Sequence, residues 1–406
     1  DKRAKYANAV EALILAYSVF IKRELGNYSD ELIDLEKDPR NISMPQPWFV
    51  LQNGPFVASL AETLKNNWTL DAPICFACGH DAIELGSWMD NTPNSWEGEI
   101  YFENDFSQYD KSLNKHILLI EHDFVKRFNP PKEYIDLMEQ QLHTFGSTKD
   151  RSKFYQEATR KSGDPNTTVG NSVVNAFLII DQFTLLGLQL GTDYRIMILG
   201  DDIIGKINKK FSSLLNKSKP QIESNLNDLG TCPKINITTK RSKVTFLSAG
   251  FWPTLIDGEL KTVLGPKIGR LLIREGWTDS TIQMLKTQKG VNEFAYQVAW
   301  GLRFSTHVPL WDTLFDWLMT KTTHTAPASE EAKLKFRHQD KAISHNLKQQ
   351  LRPCAETISF FEERYEVDYS VCKLALDSVL AQVSTVPAIA TLPDILKVLV
   401  KVDCDL

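Results

Sequence analysis

Two periods of apolar and polar residues divide the chain. Residues 98–105, "GEIYFEND", alternate apolar and polar positions and end on an acid, which predicts a strand. Residues 195–207, "RIMILGDDIIGKI", set β-branched runs on both sides of Gly200-Asp201-Asp202, which predicts a hairpin with the acids at its tip. Residues 234–253 also read as strands. A helical period runs through 1–25, 111–127 and 131–143, the last opened by Pro130-Pro131. A long apolar helix is expected over about 174–190, a basic one over 209–229, and a helical pattern resumes after Trp277. Residues 37–56, rich in Pro, Asn and Gly, read as extended, 162–172 as a loop, and 320–332 as a polar linker between helical portions. No internal repeat is visible.

Length and composition narrow the class. A chain of 406 residues is enough for two or three domains, and 42% hydrophobic with 24% charged residues is ordinary for a soluble globular protein. The net charge of −5 gives no overall support to a nucleic-acid partner, although a basic groove can sit on an acidic body. Six scattered cysteines are too few for a disulfide framework and point to a reducing compartment. The apolar run from Ala9 to Ile21 is short and carries Glu11, and the run from Ser172 to Leu190 is broken by Asn175, Asp181 and Gln182, so no spanning helix or signal peptide is expected. The chain opens on Asp1 rather than Met, which suggests a piece of something longer.

The acids carry the chemistry. Asp201 and Asp202 are adjacent like charges, an arrangement that becomes sensible if a divalent cation sits at the tip. Asp105 ends the first strand and Asp110 follows about one helical turn later. If that strand lies beside the hairpin, Asp105 and Asp201 face one another, and carboxylates from two strands can bridge two metal ions in phosphoryl transfer. Each motif has a plainer reading, Asp105 as a turn or cap acid and Gly-Asp-Asp as an ordinary hairpin tip. Between them lies "KSGDPNTTVGNSVVN". Ser162-Gly163 permits close approach of backbone to a ligand, while Thr167 and Asn171, four apart, share a face once a helix has begun. They suit a ribose hydroxyl, with Asp110 as third partner; an N-cap with a Gly-rich turn explains the same residues.

"DFSQYDKS", "SGDPNTTVGNS" and "LGDD" stand in the order of motifs A, B and C of viral RNA-dependent RNA polymerases, and the chain resembles the catalytic core of a positive-strand RNA virus replicase. "DKS" and "RKSGD" look most like the alphavirus-like supergroup, and "SGDPNTTVGN" also resembles tombusvirus-like enzymes. The resemblance implies an α+β right-hand fold. It would have fingers at 1–98 and 122–160, an antiparallel-sheet palm at 99–121 and 161–255, and a helical thumb at 256–406. It implies that Asp105 and Asp201 bind two Mg²⁺ ions, replaceable by Mn²⁺, with Asp202 auxiliary. Asp110, Thr167 and Asn171 would select ribonucleotides, and Ser162 and Gly163 would begin a mobile loop that follows template and incoming base. Lys234 would match the lysine of motif D, "FLSAGFWP" motif E, and Arg40 in "EKDPRNI" a basic residue of motif F. Implied partners are an RNA template, a primer or nascent strand, ribonucleoside triphosphates and other replicase proteins. The implied setting is the host cytoplasm, at membrane-associated replication complexes reached through other segments or proteins.

Other signals have bland counterparts. Five lysines without an acid between Lys206 and Lys219 fit a solvated helix face better than an RNA channel wall. Cys75, Cys78 and His80 offer half a zinc site with no second pair at suitable spacing. Arg270 and Arg274 share a helix face that could hold phosphate or solvent equally well. The Trp-rich run 300–319 reads as core. Two rivals remain: a reverse transcriptase, against which Asp110, Thr167 and Asn171 argue, and a catalytically silent polymerase-like RNA-binding protein, against which the three acids argue.

Overall fold

The computed structural model describes residues 15–21, 41–274, 287–301, 303–322, 350–383 and 391–404. Arg40 lies outside them. The chain is a mixture of helices and sheets, α+β, in two compact units. Within the described residues the first unit takes 15–21, 41–79 and 93–239, and the second takes 80–92 and the residues from 240 onward.

The first unit holds two sheets. One is built from β3 (Ile74–Phe76), β4 (Glu99–Phe106), β7 (Tyr194–Leu199), β8 (Asp202–Asn208) and β9 (Pro233–Thr238), in the order β3-β7-β8-β4-β9. Its pairings are antiparallel except β3 with β7. Inward positions of these strands, among them Ile100, Phe102, Ile196, Ile198, Ile203, Ile207 and Ile235, form one buried core. The helix Thr167–Leu185 closes that face through Phe183, whose ring meets Phe102 and Tyr194 edge-on at 5.0 and 4.8 Å. The helix Ser212–Asp228 adds Leu215, Ile222 and Leu226 to the same core.

The second sheet of this unit runs β2-β1-β5-β6, from β1 (Ala16–Ile21), β2 (Asn41–Pro45), β5 (His143–Thr148) and β6 (Lys153–Glu157). It overturns the helix expected through residue 25, at least over 16–21. Tyr17, Val19 and Ile21 are aromatic or β-branched, and the chain there pairs antiparallel with β2 and parallel with β5. The extended reading of 37–56 holds for β2 but fails beyond it, because Pro47 opens the helix Pro47–Asn67 at its first turn, where no N–H is needed. The long helix begins at Thr167, seven residues before its expected start. The predicted 111–127 and 131–143 helices appear as Lys115–Lys126 and Lys132–Gln140.

The second unit contains β10 (Thr245–Phe246), β11 (Ala249–Ile256) and β12 (Glu259–Pro266) in sequential order. The helix Ala82–Asp90 packs on β12 so closely that a Cβ at Gly86 would stand 1.9 Å from the Thr262 carbonyl oxygen. Asp90 seals the contact by accepting from the Thr262 backbone N–H at 3.0 Å and from its hydroxyl at 2.7 Å. Trp252 of β11 joins Leu271, Trp311, Phe315, Phe361 and Leu399 from the helices in a separate core, which bears out the core reading for Trp311 and Phe315. Trp300 is exposed instead, with Arg303 over its ring. None of the six cysteines is in a disulfide. Among the described residues no helix is long and apolar enough to cross a membrane.

Candidate active site

Three of the predicted acids come together at one end of the five-stranded sheet. Odd-numbered residues of β4 turn away from the helices, so Glu103 and Asp105 stand outward while Phe102 and Phe106 are buried. The β4–β8 register pairs Asn104 with Ile203, and the next step along brings Asp105 to the level of Asp202. The hairpin register pairs Leu199 with Asp202, leaving Gly200 and Asp201 as a two-residue loop. Gly200, at φ 67°, takes the first central position, where a left-handed backbone is required. Asp201 is exposed at the tip, Asp202 opens β8 half-buried, and Asp105 is exposed.

The tip is gripped from behind. Ser172 Oγ accepts the Gly200 backbone N–H at 2.7 Å, and Asn175 Nδ2 donates to the carbonyls of Gly200 and Asp201 at 3.3 and 2.8 Å. Both side chains are buried on the Thr167–Leu185 helix. Neither stood out in the sequence, since a polar residue inside an apolar helix reads only as an interruption until its partner strand is known.

Lys234 lies opposite Asp105 in the β4–β9 register and is exposed. The strand that carries it runs beside β4, which stands between it and the hairpin.

Asp110 sits in the short helix Tyr109–Ser112, just past the end of β4. Tyr109 anchors that turn by stacking on Phe106 at 4.8 Å, and burial pushes its phenol pKa well above the ordinary value. Asp110 Oδ1 accepts from Asn171 Nδ2 at 2.8 Å, so these two predicted residues do meet. Thr167 does not join them. Its Oγ1 lies 2.8 and 2.9 Å from the carbonyls of Lys161 and Asp164, and its single hydrogen is spent on stapling the loop to the first turn of the helix.

Ser162 and Gly163 rest against β2. The Gly163 N–H donates to the Ser43 carbonyl at 3.0 Å, and a Cβ there would stand 2.3 Å from that oxygen. Asp164 is buried, takes a 2.7 Å hydrogen bond from the Tyr17 hydroxyl, and burial pushes its pKa up to about 6. Burial pulls neighbouring Lys161 down to about 8. Behind the loop a buried ion pair joins Arg160 to Glu121. Sequence offered no sign of it, because 39 residues separate the partners.

The lysine-rich stretch is largely paired off. Lys206 is buried against Glu99 at 2.7 Å, Lys210 reaches Asp193 at 3.2 Å and Lys219 reaches Glu223 at 3.8 Å. Burial raises the Cys75 thiol pKa to about 12, that of an inert core thiol. Among the described residues no group of three or more His, Cys, Asp or Glu could hold a metal ion, so Cys75, Cys78 and His80 make no such group. Asp105, Asp201 and Asp202 likewise reach adjoining strand ends without closing into a three-carboxylate cage.

Comparison with known proteins accords with this arrangement. The RNA-directed RNA polymerase of Tomato bushy stunt virus (strain Cherry) is 23% identical over 239 residues, which cover 55% of this chain and 28% of that protein. The enzyme of the same description from Cucumber necrosis virus is 25% identical over 194 residues, 46% of this chain and 23% of its own. The match spans about a quarter of the length of these relatives. The family model described as RNA dependent RNA polymerase matches residues 2–227, more than half of the chain and every acid of the sheet end. The chain belongs to the RNA dependent RNA polymerase family.

Proposed function

We propose that this chain is the catalytic core of a viral replicase that adds ribonucleoside triphosphates to an RNA 3′ end, directed by an RNA template and releasing pyrophosphate. The observation that carries the reading is the meeting of Asp105 with the Gly200-Asp201-Asp202 turn on neighbouring strands of one sheet. In this reading 99–121 and 161–255 supply the palm, 1–98 and 122–160 the fingers, and 256–406 a helical thumb. Other segments or proteins supply attachment to replication complexes in the host cytoplasm.

The donor chemistry fits Mg²⁺. That ion keeps several waters and is bound through one or two carboxylates plus substrate phosphates, so an open pair of strand ends suits it better than a closed cage. Bound there, Mg²⁺ would supply charge neutralisation on the triphosphate and would lower the pKa of the attacking hydroxyl. Asp105 and Asp201 would hold two such ions, with Asp202 at their side. Asp110 and Asn171 read the ribose 2′-hydroxyl. Arg40 and Lys234 attract the triphosphate, and Lys234 hands a proton to the leaving pyrophosphate, a role supported by its register opposite Asp105. Ser162, Gly163 and Thr167 shape the loop beneath the base.

Primer extension on an RNA template with Mg²⁺ tests this. The wild type should extend with ribonucleotides. Asp105→Asn and Asp201→Asn should each fall to background while melting temperature holds or rises, since removing a carboxylate relieves repulsion between neighbours. A variant of either kind retaining more than a few per cent of wild-type extension contradicts the assignment.

A further inference from the structure

We propose that the buried Glu121–Arg160 ion pair is a positioning device that sets the preference for ribose over deoxyribose at Asp110 and Asn171; this rests on the ribose-reading role given above. Arg160 holds both readers at once. Its backbone N–H donates to the Asp110 carbonyl at 2.9 Å, and its Nε donates to Asn171 Oδ1 at 2.9 Å. A guanidinium can only donate and an ionised carboxylate can only accept. Arg160 therefore fixes which end of the Asn171 amide is oxygen, and the amide nitrogen is left facing Asp110, 2.8 Å away. The amide has one orientation that satisfies both neighbours.

Arg160 is in turn fixed. Its Nη2 pairs with Glu121, the two side chains being 3% and 1% exposed. The other Glu121 oxygen accepts from Asn166 Nδ2 at 2.8 Å, and Asn166 Oδ1 accepts from Gln141 Nε2 at 2.9 Å. The carboxylate lies against the helix at Gly170, where a Cβ would stand 2.4 Å from Glu121 Oε1. A side chain with four rotatable bonds is thus reduced to one geometry by partners on two helices, with its backbone tied to Asp110. A buried ion pair is a weak source of stability, because apolar replacements of similar volume often do as well. What it supplies here is direction, delivered to two residues that must agree.

The test is kcat/KM for ATP and dATP in primer extension by the wild type, Asn171→Ala, Arg160→Lys and the double variant, with melting temperatures recorded beside them. A lysine keeps the charge but cannot serve Glu121 and Asn171 together. Arg160→Lys should narrow the ATP:dATP ratio about tenfold, and should add nothing once Asn171 is alanine, because its effect passes through that amide. Glu121→Gln should narrow the ratio in the same direction and keeps the question open to test if Arg160→Lys does not fold. Equal losses for both nucleotides with the ratio unchanged would make the pair structural only and overturn the proposal. An unchanged ratio in Asn171→Ala overturns the ribose-reading role itself, and the proposal with it.

Discussion

Asp164 shows what one buried carboxylate costs. It has the Tyr17 hydroxyl as donor, yet burial still raises its pKa to about 6. A folded pKa above the unfolded value means that its contribution to stability is whole below about pH 4 and is lost as pH rises through 6. Asp164→Asn keeps an oxygen for Tyr17 and removes the charge. Relative to that variant, the wild type should lose about 3 kcal/mol between about pH 4 and pH 7, an upper figure for a shift of about two units. Thermal melts of both proteins at the two pH values check this; a difference that does not grow with pH would show that the carboxylate is well solvated. Thr167 carries a related lesson at this scale. Its hydroxyl, beside the Lys161 and Asp164 carbonyls, secures the loop, while Asp110 and Asn171 bond to each other.

At the scale of elements, the Thr167–Leu185 helix does two jobs with two faces. Leu178, Ile179 and Phe183 enter the core, while Ser172 and Asn175 clasp the hairpin turn. Ser172→Ala leaves the buried Gly200 N–H without its acceptor, at a cost of about 1–3 kcal/mol. Because the turn carries Asp201, Ser172→Ala and Asn175→Ala should each slow single-turnover extension by up to about 10²-fold, the scale expected of a misplacement near 1 Å. Melting and rapid-quench kinetics measured together check this, and full-speed chemistry with lowered stability would reduce the clasp to packing. The hairpin, its flanking strand and the three acids were legible in the sequence because period-two alternation and a Gly-Asp turn are local signals. The clasp and the Glu121–Arg160 pair were not, since nothing local tells a buried polar residue with a distant partner from an interruption. The strand at Ala16–Ile21 was misread for a similar reason: its β-character is fixed by pairing with β2, which follows only after an intervening segment, and with β5, far along the chain.

Among the described residues each unit has a large core of its own, under the five-stranded sheet in the first and around Trp252 and Trp311 in the second. Gly86→Ala forces the helix Ala82–Asp90 off β12, since the obstacle is the Thr262 backbone and not a movable side chain. A loss of about 1–3 kcal/mol should follow, confined to the second unit. Hydrogen exchange should show it as faster exchange in β11 and β12 with β4 and β8 unchanged. Equal loss of protection in all four strands would mean that the units open as one.

The helix Ala82–Asp90 also has a history in time. It leaves the ribosome with the strands of the first unit, but the carbonyls and hydroxyl it was shaped for arrive much later, Thr262 being 172 residues beyond Asp90. At about 5–20 residues per second, that is a wait on the order of ten seconds or more. During it Leu85, Trp88 and Met89, all buried in the finished fold, lack the strand β12 on which their helix packs. A nascent chain stalled before β12 should therefore be a better chaperone client than one stalled just after it, and cutting the gene after residue 239 should yield a product that aggregates rather than a working half.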